Sequence, residues 1–241
     1  MTVYRIDLAY DGAAYRGYAI QPNVRTVQGD LETALGHHVP DLTTVVAGRT
    51  DAGVHATGQV VSFKADELDC VNVQRSVNSQ LGGSASVLGL VAAPAGFDAR
   101  FSAIGRRYRY DILNREPPDP FLDKTSWRIE WPLDVELMNV AMRPLVGLHD
   151  FASFCRKAAN RSTERRLDGA EWTRESDIVS LNIWASSFCH QMVRSIVRVA
   201  VDVGRGRAAP SVSSAILESM DRQAGFGSAP AHGLTLVEVM Y

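Results

Sequence analysis

Apolar residues recur along this chain with two different spacings, and the alternation between them predicts a mixed protein of strands and helices. Apolar and polar residues alternate over 3–9 and again over 106–114, a period typical of half-buried strands. Helical spacing begins after Thr26, a residue that can cap a helix, and stops at Gly36. A longer apolar stripe predicts a helix over 188–203.

Shorter segments complete the predicted secondary structure. Runs of β-branched and apolar residues predict further strands at 43–47, 58–63, 86–92, 170–174, 179–185 and 234–240. Helical spacing predicts helices at 71–81, 134–143 and 213–222. Strands and helices alternate irregularly on both sides of a linker that contains Pro94 and Gly96, which predicts an α+β fold of two sheet-plus-helix halves, residues 1–104 and 105–241.

Composition limits the class of protein. The chain has 241 residues, of which 46% are hydrophobic, enough to bury a core in one large or two small domains. No apolar run is long enough for a membrane helix, and the first residues lack the pattern of a secretion signal. The three cysteines, Cys70, Cys155 and Cys189, have no CxxC spacing, which suggests neither a disulfide framework nor a zinc site and favours a reducing cytoplasm.

Positive charge is concentrated in two segments, although the whole chain has a net charge of −2. Residues 100–109 contain four arginines and no acid, and residues 156–166 contain five basic residues and Glu164. Affinity for a nucleic acid depends on Lys and Arg that neutralise phosphates. Each segment is therefore either an RNA-binding surface or an ordinary solvated face.

A short, glycine-flanked segment, Gly48 to His55, carries one acid and one guanidinium, Asp51 and Arg49. The predicted strands on either side make it a loop, and loops on a rigid scaffold often carry reactive groups. Gly53 permits a backbone conformation that other residues resist, or a close approach by a ligand. The alternative is a tight connection in which Asp51 caps a turn and Arg49 is a solvated charge.

The loop extends into a longer motif. The fifteen residues from Ala47 to Val61 resemble the catalytic signature of the TruA family of tRNA pseudouridine synthases. The resemblance continues in order along nearly the whole chain. The family's first strand, loop and helix start resemble Tyr10-Asp-Gly12, Tyr15-x-Gly17 and Arg25-Thr-Val-Gln28, and its second motif resembles Arg100-Phe-Ser-Ala103 and Arg106-Arg-Tyr-Arg-Tyr110. The third motif resembles His149-Asp-Phe151-x-Ser-Phe154, the fourth Phe188-x-His190-x-Met-Val-Arg194-x-Ile-Val197, and the closing strand Gly233-Leu-x-Leu236 with Val239-x-Tyr241.

The resemblance implies a fold, a reaction and a set of site residues. The fold would be two ferredoxin-like halves joined into a continuous antiparallel sheet, with helices on one side and an active-site cleft on the other. The activity would be isomerisation of uridine to pseudouridine in the anticodon stem-loop of tRNA, by a cytoplasmic homodimer. Asp51 would be the catalytic aspartate, Arg194 the cation that keeps it ionised and oriented, and Tyr108 the active-site tyrosine that stacks on uracil.

The reaction breaks the bond between N1 of uracil and C1′ of the ribose and rebuilds the link through C5. Uracil is an acceptable leaving group, so the chemistry requires neither a metal nor a redox cofactor. An ionised carboxylate can attack the sugar carbon or act as a base at the 2′ position, and the sequence leaves both routes open. The residues expected to contact RNA are Arg49, which could fill the space left by the extruded base, and Arg106, Arg107, Arg109, Arg156 and Lys157.

Two departures from the family pattern concern substrate contacts more than chemistry. Tyr18 stands where the family usually has Trp, and no Pro follows Leu81. One rival hypothesis is a catalytically inactive RNA-binding protein on the same fold. Another is a phosphoaspartate hydrolase built on Asp7 and Asp11, although that chemistry wants acids two residues apart and a Mg²⁺ site, and these acids are four apart.

Overall fold

The structure is a computed structural model that describes residues 1–156 and 162–241. Strands and helices alternate along these ranges. The strands are β1 Thr2–Tyr10, β2 Thr44–Val46, β3 His55–Ala65, β4 Ala85–Ala92, β5 Gly105–Leu113, β6 Trp127–Arg128, β7 Gly147–Asp150, β8 Glu164–Glu175, β9 Ile178–Ala185 and β10 Leu234–Met240. The α-helices are α1 Val27–Gly36, α2 Cys70–Gln80, α3 Val135–Met142, α4 Met192–Gly204 and α5 Val212–Ser219.

The chain divides into two compact units, residues 1–104 with 235–241, and residues 105–234. The first unit has the strand order β4-β1-β3, with β2 and β10 both paired to β3. Its first six elements follow the β-α-β-β-α-β order of a ferredoxin-like fold, and the pairs that β3 makes with β1 and β2 are antiparallel. Tyr4, Ile6, Leu8 and Tyr10 of β1 are all buried on one face, as strand alternation requires.

Side-chain caps fix where the helices of the first unit begin. Thr26 accepts a hydrogen bond from the amide of Gly29 at the start of α1, and Asp69 accepts one from Asn72 at the start of α2. The residues after Leu81 are glycines in the left-handed region, with φ of +62° at Gly82 and +77° at Gly83. Proline cannot adopt a positive φ, which explains why none follows Leu81.

The second unit contains an antiparallel sheet in the order β5-β9-β8-β7, with the two-residue β6 parallel to β5. Asp134 caps α3 by accepting a hydrogen bond from the amide of Leu137. Helix α3 packs against α4 and β8, and nearly every residue of α4 is buried. The core of this unit therefore lies between the sheet and these two helices.

The α+β class is confirmed, because each unit pairs a largely antiparallel sheet with helices. The structure adds two short strands that periodicity did not predict, β6 and β7, and begins α4 only at Met192. The predicted second half ran to residue 241, whereas 235–241 lie in the first unit, because β10 pairs with β3 through Thr235 opposite His55. No helix within the described ranges is long and apolar enough to cross a membrane.

Candidate active site

Asp51 lies on the connection between β2 and β3, as the sequence predicted. The amide of Val54 donates to the carbonyl of Asp51 over 3.1 Å and closes a turn, in which Gly53 has a φ of +80°. The Asp51 side chain is partly exposed and Arg49 is exposed. We refer to residues 47–54 as the Asp51 loop. This short connection between two strands carries one acid, Asp51, and one guanidinium, Arg49.

The Asp51 loop packs closely against the segment that follows β1. The amide of Tyr18 donates to the carbonyl of Thr50 over 3.1 Å. A Cβ atom at Gly12 would overlap the backbone of Val54, and one at Gly17 would lie 3.3 Å from the Thr50 carbonyl oxygen. These glycines are required by the close approach of two backbones, so the loop is fixed from this side.

Buried side chains hold the Asp51 loop from below. The hydroxyl of Tyr10 shares a 2.8 Å hydrogen bond with Oγ1 of Thr50. The Gln59 amide donates to the Tyr10 hydroxyl over 3.1 Å and to the Gly48 carbonyl over 2.8 Å. Burial raises the pKa of Tyr10 to about 12, against the opposing effect of these hydrogen bonds, so its hydroxyl keeps its proton at neutral pH.

The other acids near the start of the first unit have local structural contacts. Asp11 caps a short 3₁₀ turn by accepting from the amide of Ala13 over 2.9 Å, and its carboxylate lies 3.2 Å from Nδ1 of His55. Asp7 pairs with Arg5 over 2.8 Å. These contacts account for both acids without phosphoaspartate chemistry.

Tyr108 occupies the buried face of β5 in the second unit, with 8% of its surface exposed. The ring of Phe188 meets it edge-on, with centroids 5.2 Å apart and planes at 90°. This T-shaped arrangement is a favourable aromatic geometry and fixes the plane of the Tyr108 ring.

Arg194 lies in the first turns of α4, where a segment without regular structure holds it. Its Nε donates to the carbonyl of Ala229 over 2.7 Å, and the amide of Ala229 donates back to the carbonyl of Arg194 over 2.9 Å. Nη2 lies 3.4 Å from Oγ of Ser228. Arg194 is therefore held by neighbouring protein groups and is not merely solvated. One turn further along α4, Arg198 pairs with Asp202 over 2.9 Å.

The three predicted RNA-binding arginines of β5 do not share one face. Arg106 is 9% exposed, on the same face as Tyr108, and its Nη1 donates to the carbonyl of Ser186 over 2.8 Å. Arg107 and Arg109 point to the other face and are exposed. The guanidinium of Arg107 lies 5.7 Å from the ring centroid of Trp184, and Arg109 pairs with Asp111 over 2.7 Å.

Arg156 is exposed, and its amide donates to the carbonyl of His190 over 2.9 Å, within the fourth motif. Lys157, the last of the predicted RNA contacts, lies outside the described residues.

The expectation that the cysteines form no disulfide is wrong in the structure, which pairs Cys155 with Cys189 at a Cα–Cα distance of 5.8 Å. The two residues are 34 positions apart, and only the fold brings the end of the third motif beside the fourth. Spacing along the chain cannot reveal such a pair, whereas the Cα distance is ordinary for a disulfide.

The structure thus places Asp51 and Arg49 in the first unit, and Tyr108, Arg194, Arg106, Arg107, Arg109 and Arg156 in the second. Sequence reasoning missed the residues that hold these groups, above all Tyr10 and Gln59. One signal was available, since Gln59 is a polar residue among apolar strand positions of the catalytic motif. Within the described ranges, no three His, Cys, Asp or Glu side chains form a group that could hold a metal ion.

Comparison with known proteins identifies similar chains. A family model described as tRNA pseudouridine synthase matches residues 141–241. A tRNA pseudouridine synthase A from Frankia casuarinae is 44% identical over 98% of this chain and 88% of its own length. Proteins of the same name from Leifsonia xyli subsp. xyli and Bacillus subtilis are 41% and 37% identical, over 100% and 97% of this chain and 92% and 97% of their own.

Among solved structures, a chain of a Cbf5-Nop10-Gar1 complex matches with a TM-score of 0.35 and 11% identity, over 83% of this chain and 54% of its own. That similarity is too low to carry an argument.

Proposed function

Because this chain belongs to the TruA family of tRNA pseudouridine synthases, we propose that it isomerises uridine to pseudouridine in tRNA, and that Asp51 is the catalytic residue. The observation that carries the proposal is identity of 44% over 98% of the chain to a tRNA pseudouridine synthase A. The Asp51 loop supports the assignment, because it presents a partly exposed carboxylate on a backbone held by hydrogen bonds on two sides.

In the proposed reaction, the Asp51 carboxylate acts on the ribose of the target uridine. Either it forms a bond to C1′ as the N1–C1′ bond breaks, or it removes the 2′ proton as uracil leaves. The freed uracil turns and C5 bonds to C1′. On the first route the bond between Asp51 and C1′ breaks in this step, and on the second route C2′ takes back the proton that Asp51 had removed. C5 then loses its proton while N1 gains one. Atoms balance on both routes, and the product is an isomer of the substrate.

We assign supporting roles to Tyr108 and Arg194. The ring of Tyr108 would stack on the extruded uracil, and its hydroxyl would take part in removing the C5 proton. Its edge contact with Phe188 supports this role, since a ring held in one plane makes a better stacking surface. The guanidinium of Arg194 would stabilise the ionised carboxylate, and a bidentate fork held through its Nε suits that role.

We propose that the exposed arginines contact the phosphates of tRNA. They are Arg49, Arg107, Arg109 and Arg156, with Lys157 completing the predicted set. Arg109 would contribute less than Arg107, because Asp111 already offsets its charge. Arg106 is too deeply buried to join a phosphate-binding surface and would instead support the Tyr108 face of β5.

The family resemblance supports three finer proposals: that the target uridines lie in the anticodon stem-loop, that the protein works as a homodimer, and that it acts in the cytoplasm. Disulfides are rare in a reducing cytoplasm, so the last proposal also requires Cys155 and Cys189 to exist there as thiols.

The first test incubates the protein with unmodified tRNA transcripts and maps pseudouridine at single-nucleotide resolution. We expect pseudouridine only in the anticodon stem-loop. The matched control is Asp51→Asn, which preserves the shape of the side chain and removes its charge. We expect it to bind the same transcripts, but its rate of isomerisation should fall by at least about 10⁴-fold, which is the size of the loss when an enzyme's catalytic side chain is removed. Product formed by Asp51→Asn at the wild-type rate would remove Asp51 from its role, and no product with the wild-type protein would overturn the activity.

A further inference from the structure

Three polar side chains are buried at the base of the Asp51 loop, two from the strands beneath it and one from the loop itself. Gln59 is fully buried, and Tyr10 and Thr50 are nearly so. Burying an amide or a hydroxyl is unfavourable unless its hydrogen bonds are made. Here they are made, and two of them end on the loop that carries Asp51 and Arg49, one from Gln59 to the Gly48 carbonyl and one between Tyr10 and the Thr50 hydroxyl.

The hydrogen bonds reach the loop on both sides of Arg49. The Gln59 amide holds the carbonyl of Gly48, the residue before Arg49, and the Tyr10 hydroxyl holds the side chain of Thr50, the residue after it. Because the Gln59 amide also donates to the Tyr10 hydroxyl, the two anchors form one connected network. A shift of either anchor would therefore move the backbone that immediately precedes Asp51.

We infer that Tyr10, Thr50 and Gln59 are positioning residues for the reaction, because their hydrogen bonds hold the Gly48 carbonyl and the Thr50 side chain and thereby orient the Asp51 carboxylate. They act through the loop and do not touch the substrate. The inference rests on the proposed role of Asp51. A displacement of about 1 Å at a reacting group can lower a rate by about 10²-fold. Holding the loop in place can therefore offset the cost of burying the polar side chains that hold it.

The test removes the hydrogen bonds without removing volume. Thr50→Val replaces the hydroxyl by a methyl group, and Gln59→Met replaces the amide by an apolar chain of similar length. We expect the single-turnover rate at saturating enzyme to fall by about 10-fold to 10²-fold in each variant. The Kd for tRNA should change by less than about 3-fold, because both side chains are buried. Thr50→Ser, which keeps the hydroxyl, should restore most of the rate lost in Thr50→Val.

The chain offers a matched control in Tyr4, which lies on the same face of β1 as Tyr10. Both tyrosines are buried, and the Tyr4 hydroxyl also makes two hydrogen bonds, to the carbonyl of Asp66 over 3.2 Å and from the amide of Leu68 over 3.0 Å. Tyr4→Phe and Tyr10→Phe remove equivalent groups at opposite ends of one strand. Only Tyr10→Phe should slow the reaction, whereas a general loss of stability would affect both.

The outcomes separate this inference from the proposed function. Wild-type single-turnover rates in Thr50→Val and Gln59→Met, together with an inactive Asp51→Asn, would overturn the positioning role and leave the function intact. An active Asp51→Asn would overturn the function first. If Gln59→Met does not fold, the comparison of Thr50→Val with Thr50→Ser decides the question, because equal rates in those two variants contradict the inference.

Discussion

The two units hold their charged groups by different means. In the first unit, the Asp51 loop is anchored by buried side chains, with Gln59 and Tyr10 bonded to Gly48 and Thr50. In the second unit, two guanidiniums are anchored by main-chain carbonyls, Arg194 by that of Ala229 and Arg106 by that of Ser186.

The difference decides which substitutions can disturb each site. A carbonyl anchor remains whatever side chain its residue carries, so it can be broken only by changing the arginine or moving the backbone. A side-chain anchor disappears with a single substitution at a residue remote from the substrate. The first unit should therefore be sensitive at positions that never contact RNA, and the second mainly at the arginines themselves.

The sharpest test of a carbonyl anchor is Arg194→Lys, which keeps the charge and removes Nε. Lys cannot reproduce the planar fork or the bond to the Ala229 carbonyl. We expect the single-turnover rate to fall by about 10²-fold, the size of effect that a misplaced reacting group produces. Arg198→Lys is the control on the same helix, because a lysine can still pair with Asp202 and should leave the rate unchanged. A wild-type rate in Arg194→Lys would mean that charge alone suffices.

The two faces of β5 provide the second test, which measures RNA affinity as a function of salt. Removing the exposed guanidinium in Arg107→Ala should make the salt dependence weaker. The negative slope of the log of the tRNA association constant against log salt should shrink in magnitude by about one, the effect of one lost phosphate contact. Arg106→Ala should leave the slope unchanged, because that side chain is buried and bonded to the Ser186 carbonyl. Equal slopes for the wild type and Arg107→Ala would place the RNA elsewhere.

The smallest effect concerns a hydroxyl that anchors nothing. Tyr18 is 1% exposed, and within the described ranges its hydroxyl has no hydrogen-bond partner. Tyr18→Phe removes an unsatisfied buried group and should raise the free energy of unfolding by about 1 kcal/mol, whereas Tyr10→Phe should lower it by about the same amount. Denaturant unfolding at neutral pH measures both. A loss of stability in Tyr18→Phe would show that the hydroxyl is satisfied in solution.

The pH dependence of the same variant gives a check with a definite sign. Burial raises the pKa of Tyr18 well above its ordinary value of 10.0. The unfolded chain therefore loses this proton first as the pH rises, and its ionisation lowers the free energy of unfolding of the wild type above pH 10.0 and not below it. Tyr18→Phe should lose less stability than the wild type between neutral and strongly alkaline pH.

Much of the secondary structure could be predicted from the sequence, because it depends on local spacing. The alternation over β5 separates buried Tyr108 from exposed Arg107, and Thr26 caps the helix that it was expected to cap. The short β6 and β7 were missed, since strands of two and four residues are too brief to show a period. Strand β10 was found, but its place in the first unit depends on long-range pairing with β3.

The sequence by itself determined the family, the Asp51 motif and the order of the elements, because each is written in consecutive residues or in a local period. Only the tertiary structure decided what surrounds the site residues. It joined Cys155 to Cys189, bonded Arg194 to Ala229, and set Gln59 beneath the Asp51 loop. Such contacts link residues from 11 to 35 positions apart. Their geometry follows from how strands and helices pack, and no local pattern along the chain records it.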